Sequence, residues 1–416
     1  MLIRQAFRFR LREQPAQARE YARTAGCCRF VWNKALALQH RYYRFFGKHL
    51  AYTRLANRLP RWKRVHQFLS EAPSQTLQQT LKDLDTAWSR FFKEPQRVGR
   101  PRFKGRDTRA AFRLPQGVEL DTVNARVRLA KLGWVRLRLS QDVLGNIKNA
   151  TVAREQGQWF VALQTEREQE IVLRTGSGVG VDVGATRSAT ATDGQILALE
   201  LRLAKQAARL RYLQRCLSRK QKGSRRRRRA KHKLGAVHAR LARIRNDAVH
   251  KLSRSLVNVH AVVCLEDLQV AAMTAAGSNR KAKLNARILA AGWGALRQQA
   301  EYKAVWSGGA VVAVNPAYTS QRCNACGHTE RANRVSQAVF RCVACGHTAH
   351  ADENAARNIR ERGVMELLRA GSLARAPGDA GAEGRYIVLR PSSHVESAEV
   401  ERLKKREPTE ALRKAA

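Results

Sequence analysis

Four cysteines constrain this chain more than any other feature. They stand as Cys323-x2-Cys326 and Cys342-x2-Cys345, two tight knuckles with fifteen residues between them. Each knuckle presents two thiolates to neighbouring corners of a tetrahedron. Four thiolates close the coordination sphere of one Zn²⁺ ion, which makes such an ion structural. Gly327 and Gly346 follow the second cysteine of each pair, where the chain must turn with positive φ. A zinc ribbon is therefore expected over 321–346. Two disulfides would need an oxidising compartment, and the N-terminal stretch, with Arg4, Arg8 and Arg10 among apolar residues, lacks secretory character. His328, His347 and His350 lie nearby, but four sulfurs leave them no position. Cys27, Cys28, Cys216 and Cys264 sit in apolar contexts and read as buried thiols.

The charge balance narrows the partner. There are 79 Lys or Arg against 33 Asp or Glu, a net +46 over 416 residues. Repulsion of that size is tolerable where a polyanion neutralises it, and nucleic acid is the expected partner. The 44% hydrophobic fraction supports a real core, which excludes disorder of the whole chain. No apolar run approaches the roughly 18 residues a spanning helix needs. No membrane partner is expected, and the location is expected to be cytoplasmic and nucleoid-associated. Oligomeric state is left open.

Hydrophobic periodicity gives an α+β multidomain organisation. Ile3, Phe7, Phe9 and Leu11 alternate with arginines as in a half-buried strand. Val31, Trp32, Ala35 and Leu36 fall on one helix, and Leu77, Leu81, Leu84, Trp88, Phe91 and Phe92 on another. Gly99 to Gly105, carrying Arg100, Arg102 and Lys104, reads as a basic linker. Short strands around 123–129, 135–139, 147–152 and 159–163 suggest a small β-barrel that the N-terminal strand joins, with 12–98 inserted as a helical lobe. Residues 201–257 have helical spacing broken at Gly223-Ser224, which predicts a long hairpin. Its stretch 215–254 holds sixteen Lys or Arg and one acid, Asp247. Arg219, Lys220, Lys222, Arg225, Arg226, Arg227, Arg228 and Arg229 are read there as a phosphate-tracking surface. Beyond about Gly371 a disordered tail is expected.

The acids carry the chemistry. Val179 to Gly184 is an apolar strand with one carboxylate, Asp182, followed by a hairpin turning at Asp193-Gly194. A second apolar strand ends in Glu266-Asp267, a third runs from Ala310 to Val314, and Asp352-Glu353 opens a helix after the ribbon. Asp182, Glu266 and Asp352 are expected to meet at one edge of a central mixed sheet. Asp267 and Glu353 are the local rivals of the last two. Three clustered carboxylates repel one another unless cations neutralise them. Two Mg²⁺ ions suit such hard oxygen ligands and in-line phosphodiester hydrolysis.

These residues resemble the TnpB (OrfB) family of insertion-sequence proteins, related to type V CRISPR effectors. The resemblance runs through Gly26-Cys27-Cys28-Arg29-Phe30-Val31-Trp32-Asn33, Gly180-Val181-Asp182-Val183-Gly184, Leu265-Glu266-Asp267-Leu268, Tyr318-Thr319-Ser320-Gln321 and Asp352-Glu353-Asn354-Ala355-Ala356-Arg357-Asn358-Ile359. It implies a wedge-like barrel (1–11 and 99–173), a helical recognition lobe (12–98), and an RNase H-like, RuvC-type nuclease domain (174–320 and 347–370) with the ribbon inserted. It further implies an RNA-guided DNA endonuclease that uses a noncoding guide RNA, cleaves double-stranded DNA beside a short motif, and takes Asp182, Glu266 and Asp352 as catalytic acids. Two departures stand out: Ala351 where the family is often basic, and Ala290-Ala291 where an acid is common. A guided binder without cleavage, a strand-transfer transposase and an unguided junction resolvase are the competing readings.

Overall fold

The computed structural model describes residues 1–184, 188–197, 199–275, 279–377 and 384–390. The chain divides into two compact units, Met1–Gln169 and Glu170–Ala416.

In the first unit, strand β1 (Leu2–Arg12) leads into a 32-residue helix α1 (Pro15–Phe46). Pro15 opens α1, where a missing N–H costs nothing, and Gly47 closes it in the left-handed region at φ 62°. Gln39, fully buried, then holds both backbone groups of Leu50 at 2.7 Å, which fixes the chain's return. Helices α2 (Tyr52–Ala56), α3 (Leu59–Val65) and α4 (Ser74–Lys93) follow. On α4 the residues Leu77, Leu81, Leu84 and Trp88 are buried, as their spacing predicts, whereas Phe92 stays exposed.

Strands β2 (Ala111–Leu114), β3 (Val118–Asp121), β4 (Arg126–Leu129), β5 (Gly133–Arg138), β6 (Asn146–Glu155) and β7 (Gln158–Glu168) complete an antiparallel sheet in the order β2-β6-β7-β1-β5-β4-β3. The N-terminal strand is its middle member. β2 and β3 are the two ends of the ladder and do not pair with each other, so the small β-barrel expected here takes the form of a seven-stranded sheet with two edges. The stretch expected to be strand from Val123 begins only at Arg126, because Ala125 takes φ 46° in a turn.

The segment 99–105 is also not a free linker. Asn33 on α1 donates to the Lys104 carbonyl at 2.9 Å and accepts from its N–H at 2.8 Å. Trp32 donates to the Arg102 carbonyl at 3.0 Å, and the Lys104 ammonium lies 3.5 Å from the Trp32 ring centroid. Trp32-Asn33 thus straps this segment onto the helix.

The second unit is a three-layer α/β/α arrangement. Strand β8 (Thr175–Asp182) is followed by β9 (Ala189–Ala191) and β10 (Ile196–Leu197), both antiparallel, joined at a turn where Gly194 takes φ 82°. Helices α5 (Leu199–Ser218) and α6 (Arg225–Val259) form the hairpin, with Ser224 capping α6 through the Arg227 N–H at 3.1 Å. Strand β11 (Val262–Glu266) pairs in parallel with β8. Helices α7 (Val270–Ala275), α8 (Asn279–Ala291) and α9 (Trp293–Ser307) lead to β12 (Ala310–Val314), parallel to β11. The ribbon strands β13 (Val339–Arg341) and β14 (Thr348–His350) precede α10 (Ala351–Arg369).

Alternation sorts the layers. Val179, Val181, Val263 and Leu265 pack with Ala248, Leu252 and Leu256 of α6 and Leu296 and Ala300 of α9. Val262, Cys264, Val312 and Val314 pack with Ile359, Val364 and Leu367 of α10.

The tail expectation fails at residues 371–377 and 384–390. Strands β15 (Leu373–Arg375) and β16 (Arg385–Val388) pair with each other, and β16 extends the sheet beside Thr175–Ser177 of β8. Leu373, Tyr386 and Val388 are buried in the α10-side core. The strand signal is only four residues long inside a Gly- and Pro-rich context, which hides it. Residues 391–416, also expected to be tail, lie outside the described residues.

Candidate functional site

The register of β8 against β11 builds the site. Val181 pairs with Leu265, so the next residues, Asp182 and Glu266, leave the ladder side by side. Both have the parity opposite to the valines that fill the α6/α9 core, and so both face the layer that α10 occupies. Gly178 and Gly180 share that face. A Cβ on Gly180 would lie 2.0 Å from the Ala356 carbonyl oxygen and 2.6 Å from the Arg360 nitrogen. Glycine in the Gly-x-Asp sequence therefore lets α10 rest on the backbone of β8, which brings Asp352, in its first turn, to the ends of the two strands.

Electrostatics record the convergence. Burial, then Glu266, then Asp352, push the Asp182 carboxyl up to about 7, against the pull of Arg334 and the Val183 amide. Burial also raises Glu266, opposed by a hydrogen bond from Thr319 and by Arg362. The Thr319 hydroxyl, 3% exposed, lies 2.7 Å from Glu266 Oε1. Asp352 is half-buried, and its carboxylate stands 3.6 Å from Arg334.

The rivals sit elsewhere. Asp267 is ion-paired with Arg297, which also binds Glu301, and Glu353 is exposed. The donor set is all carboxylate oxygen, with Arg334 beside Asp352 and Arg362 acting on Glu266, which fits hard divalent cations such as Mg²⁺. Among the described residues, the three carboxylates do not form a group whose ligand atoms all lie within 4.8 Å of one another.

The four cysteine sulfurs all lie within 4.8 Å of one another, the one such group among the described residues. Cys323 and Cys345 are 3.8 Å apart and Cys326 and Cys342 3.6 Å apart. A tetrahedron with Zn–S of about 2.3 Å needs edges of about 3.8 Å, so the cluster fits zinc as it stands. The two knuckles repeat one geometry. The backbone N–H of Cys323 donates to the His328 carbonyl at 2.8 Å and that of Cys342 to the His347 carbonyl at 2.9 Å, with Gly327 at φ 79° and Gly346 at φ 72°. Burial raises the Cys342 thiol, but hydrogen bonds from the Cys345 and Ala344 amides and from the Cys326 and Cys345 thiols together bring it down to about 6.

Asparagines of α10 join the ribbon to the site. Asn354 donates to the Arg322 carbonyl at 2.8 Å and accepts from the Asn324 N–H at 3.0 Å. Asn358 donates to the carbonyls of Thr319 at 2.9 Å and Arg322 at 2.7 Å. Ala351 is fully buried against Cys323, Phe340 and Cys342, so a basic side chain there would have no room. Ala291 likewise packs with Ile288 and Trp293 beside Val183, an apolar setting hostile to an acid.

Of the eleven basic residues singled out in the sequence, Arg100, Arg102, Arg219, Lys220, Lys222, Arg225, Arg226, Arg228 and Arg229 are exposed. Arg227 is turned inward, capping the Leu217 and Lys220 carbonyls at 2.8 Å, and Lys104 is tied to Trp32 and Asn33. Those two are committed to the fold rather than available to a phosphate. Sequence reading missed Arg334 and Arg362, which are single arginines in a chain full of them. Arg362 donates to the Ala317 carbonyl at 3.0 Å and so holds the turn after β12.

Fold and site together define a two-unit protein whose second unit is a three-layer α/β domain with Asp182, Glu266 and Asp352 on one side of its sheet and a four-cysteine ribbon. Comparison with known proteins places it more closely. Residues 160–276 match the OrfB family described as "Probable transposase", residues 293–359 a "Cas12f1-like, TNB domain", and residues 1–48 a "Helix-turn-helix domain", although 1–48 here form one strand and one uninterrupted helix. InsQ of Escherichia coli (strain K12), named a candidate RNA-guided DNA endonuclease, is 42% identical over 94% of this chain and 98% of its own. A Streptomyces pristinaespiralis protein of the same designation is 33% identical over 91% and 92%. The chain belongs to this OrfB (TnpB-like) family. The fold also resembles a Cas12f1 chain solved with sgRNA and target DNA, at a TM-score of 0.50, 14% identity, and coverage of 84% of this chain and 83% of that one. Among the described residues no helix is long and apolar enough to cross a membrane.

Proposed function

We propose that this protein is an RNA-guided DNA endonuclease that hydrolyses phosphodiester bonds of double-stranded DNA with Asp182, Glu266 and Asp352 as its metal-holding acids. The observation that carries the reading is the pairing of Val181 with Leu265, which sets Asp182 and Glu266 side by side on the face where α10 delivers Asp352. Family membership and the net charge of +46 support an RNA and DNA partner. In this reading the sheet and helices of the first unit are the wedge-like and recognition parts, the second unit is RuvC-type, and the cysteine cluster holds one structural zinc.

Asp182, Glu266 and Asp352 would hold the divalent ions. When bound, such ions supply charge neutralisation at the scissile phosphate and a water more readily deprotonated. The protein's own groups prepare the site. Thr319 fixes the Glu266 rotamer through a 2.7 Å hydrogen bond, Gly180 admits α10 close enough to bring Asp352, and Arg334 partly balances the acids. Arg225, Arg226, Arg228 and Arg229 offer a mobile-ion-displacing surface for a phosphate backbone.

The test uses purified protein with its co-purifying RNA and a DNA matching that RNA. Asp182→Asn is expected to abolish cleavage, with RNA and DNA binding within a few fold of wild type. Cleavage that survives the substitution overturns the assignment of the acids.

A further inference from the structure

The exposed rings at the far end of α1 and α4 are not explained by the reading above. Phe45 is 77% exposed, Phe46 61%, Phe103 54% and Phe92 39%. They are not loose. Phe46 stands on Tyr42 with centroids 4.5 Å apart, Phe92 stacks on buried Trp88 at 5.6 Å and 26°, and Phe103 meets the His40 ring edge-on at 5.5 Å. The segment carrying Phe103 is itself tied to Asn33 and Trp32. Rings supported from behind and open in front lose little freedom when something stacks on them.

Cations interleave with these rings. Residues 86–106 carry seven Lys or Arg and one acid, Glu94, and the Arg100 guanidinium lies over both Tyr43 (5.5 Å) and Phe91 (5.6 Å). Arg41, Arg44 and Lys48 are exposed among Phe45 and Phe46. An apolar protein partner would be met by this charge, and a duplex offers no free base faces. Unpaired nucleotides satisfy both halves of the surface, phosphates for the cations and base faces for the rings.

From this we propose that the Phe45, Phe46, Phe92 and Phe103 surface is a stacking platform for unpaired nucleotides of the RNA the protein carries. The choice of RNA rests on the function proposed above. Large apolar rings left bare invite association, so their occupant is the partner that stays bound, which is the guide, rather than the DNA met only at a target.

The experiment measures binding of a labelled oligouridylate of about 20 nucleotides, the matching oligothymidylate and an RNA duplex of similar length to the full chain freed of nucleic acid. Joint substitution Phe45→Ser, Phe46→Ser, Phe92→Ser and Phe103→Ser is expected to weaken oligouridylate binding about fivefold for each ring that stacks, at least about 25-fold in all, with an unchanged salt slope. Duplex binding is expected to stay within about twofold. Tyrosine at the four positions restores binding and leucine does not, which separates stacking from folding. Equal loss on the duplex, full binding by the leucine set, or loss confined to oligothymidylate overturns the proposal. So does light scattering that shows a wild-type dimer converted to monomer by the serines, since the rings would then cover a second copy of the chain. None of these readings uses cleavage, so a failure of Asp182→Asn to stop cutting is distinguishable from a failure of this surface.

Discussion

Arg334, carried by the ribbon between its two cysteine pairs, stands 3.6 Å from the carboxylate of Asp352. It also opposes the upward push on Asp182, so one guanidinium moderates two of the three acids. Without it the metal-free cluster has less compensation and the pull on a divalent cation grows. Arg334→Ala is expected to lower the melting temperature in EDTA, by the equivalent of about 1 kcal/mol or less because both side chains are partly solvated. The gain in melting temperature on adding Mg²⁺ should widen relative to wild type. A gain that narrows shows that Arg334 does not face the ion site.

The Asp182 carboxyl gives the metal-free protein a pH signature. Its folded pKa lies at about 7, above the ordinary value of 3.8, chiefly through burial. A raised pKa contributes stability that is fully present below the unfolded value and is lost as pH rises through the folded one. The metal-free wild type should therefore lose stability between about pH 4 and pH 7 relative to Asp182→Asn, with a constant gap above. Urea denaturation in EDTA at several pH values checks this, and saturating Mg²⁺ should remove the trend. A gap independent of pH means that Asp182 is not buried among the other acids.

Much of the second unit is legible in the sequence because each signal is local and physically forced. An apolar run interrupted by a single acid at Asp182, a cap at Ser224 after Gly223, and two Cys-x-x-Cys-Gly knuckles each permit few conformations. What is not legible depends on partners distant in the chain. Arg334 gains its meaning only when α10 places Asp352 beside it. The segment 99–105 looks like a linker until Asn33, some 70 residues earlier, is seen holding both backbone groups of Lys104. Strand β16 has too few residues to announce itself and is stabilised by the edge of β8 rather than by its own pattern. Among the basic residues, sequence could not separate Arg227, which caps α5, from exposed neighbours of the same type.

Zinc content tests the ribbon. The wild-type protein should contain one zinc per chain by elemental analysis, as four sulfurs spaced for a single tetrahedron require. Cys342→Ser should lower that content and destabilise the protein, since a structural zinc contributes folding free energy. Because Asn354 and Asn358 tie the ribbon's entry to α10, the same variant should also weaken Mg²⁺-induced stabilisation. Normal zinc content in Cys342→Ser overturns the four-thiolate assignment.

Gly180 is the residue on which the position of Asp352 depends. Its virtual Cβ meets backbone atoms of α10, the Ala356 oxygen at 2.0 Å and the Arg360 nitrogen at 2.6 Å, and backbone cannot swing aside as a side-chain tip does. Gly180→Ala must therefore either lift α10 from β8 or distort the strand that ends in Asp182. A loss of about 3 kcal/mol in chemical denaturation is expected, together with loss of Mg²⁺-induced stabilisation. Gly294→Ala is the matched control: it lies in helix α9 with nothing within 4 Å of the added carbon, and should be neutral or stabilising by up to about 1 kcal/mol. If the two substitutions behave alike, close seating of α10 on β8 is not what assembles the acids.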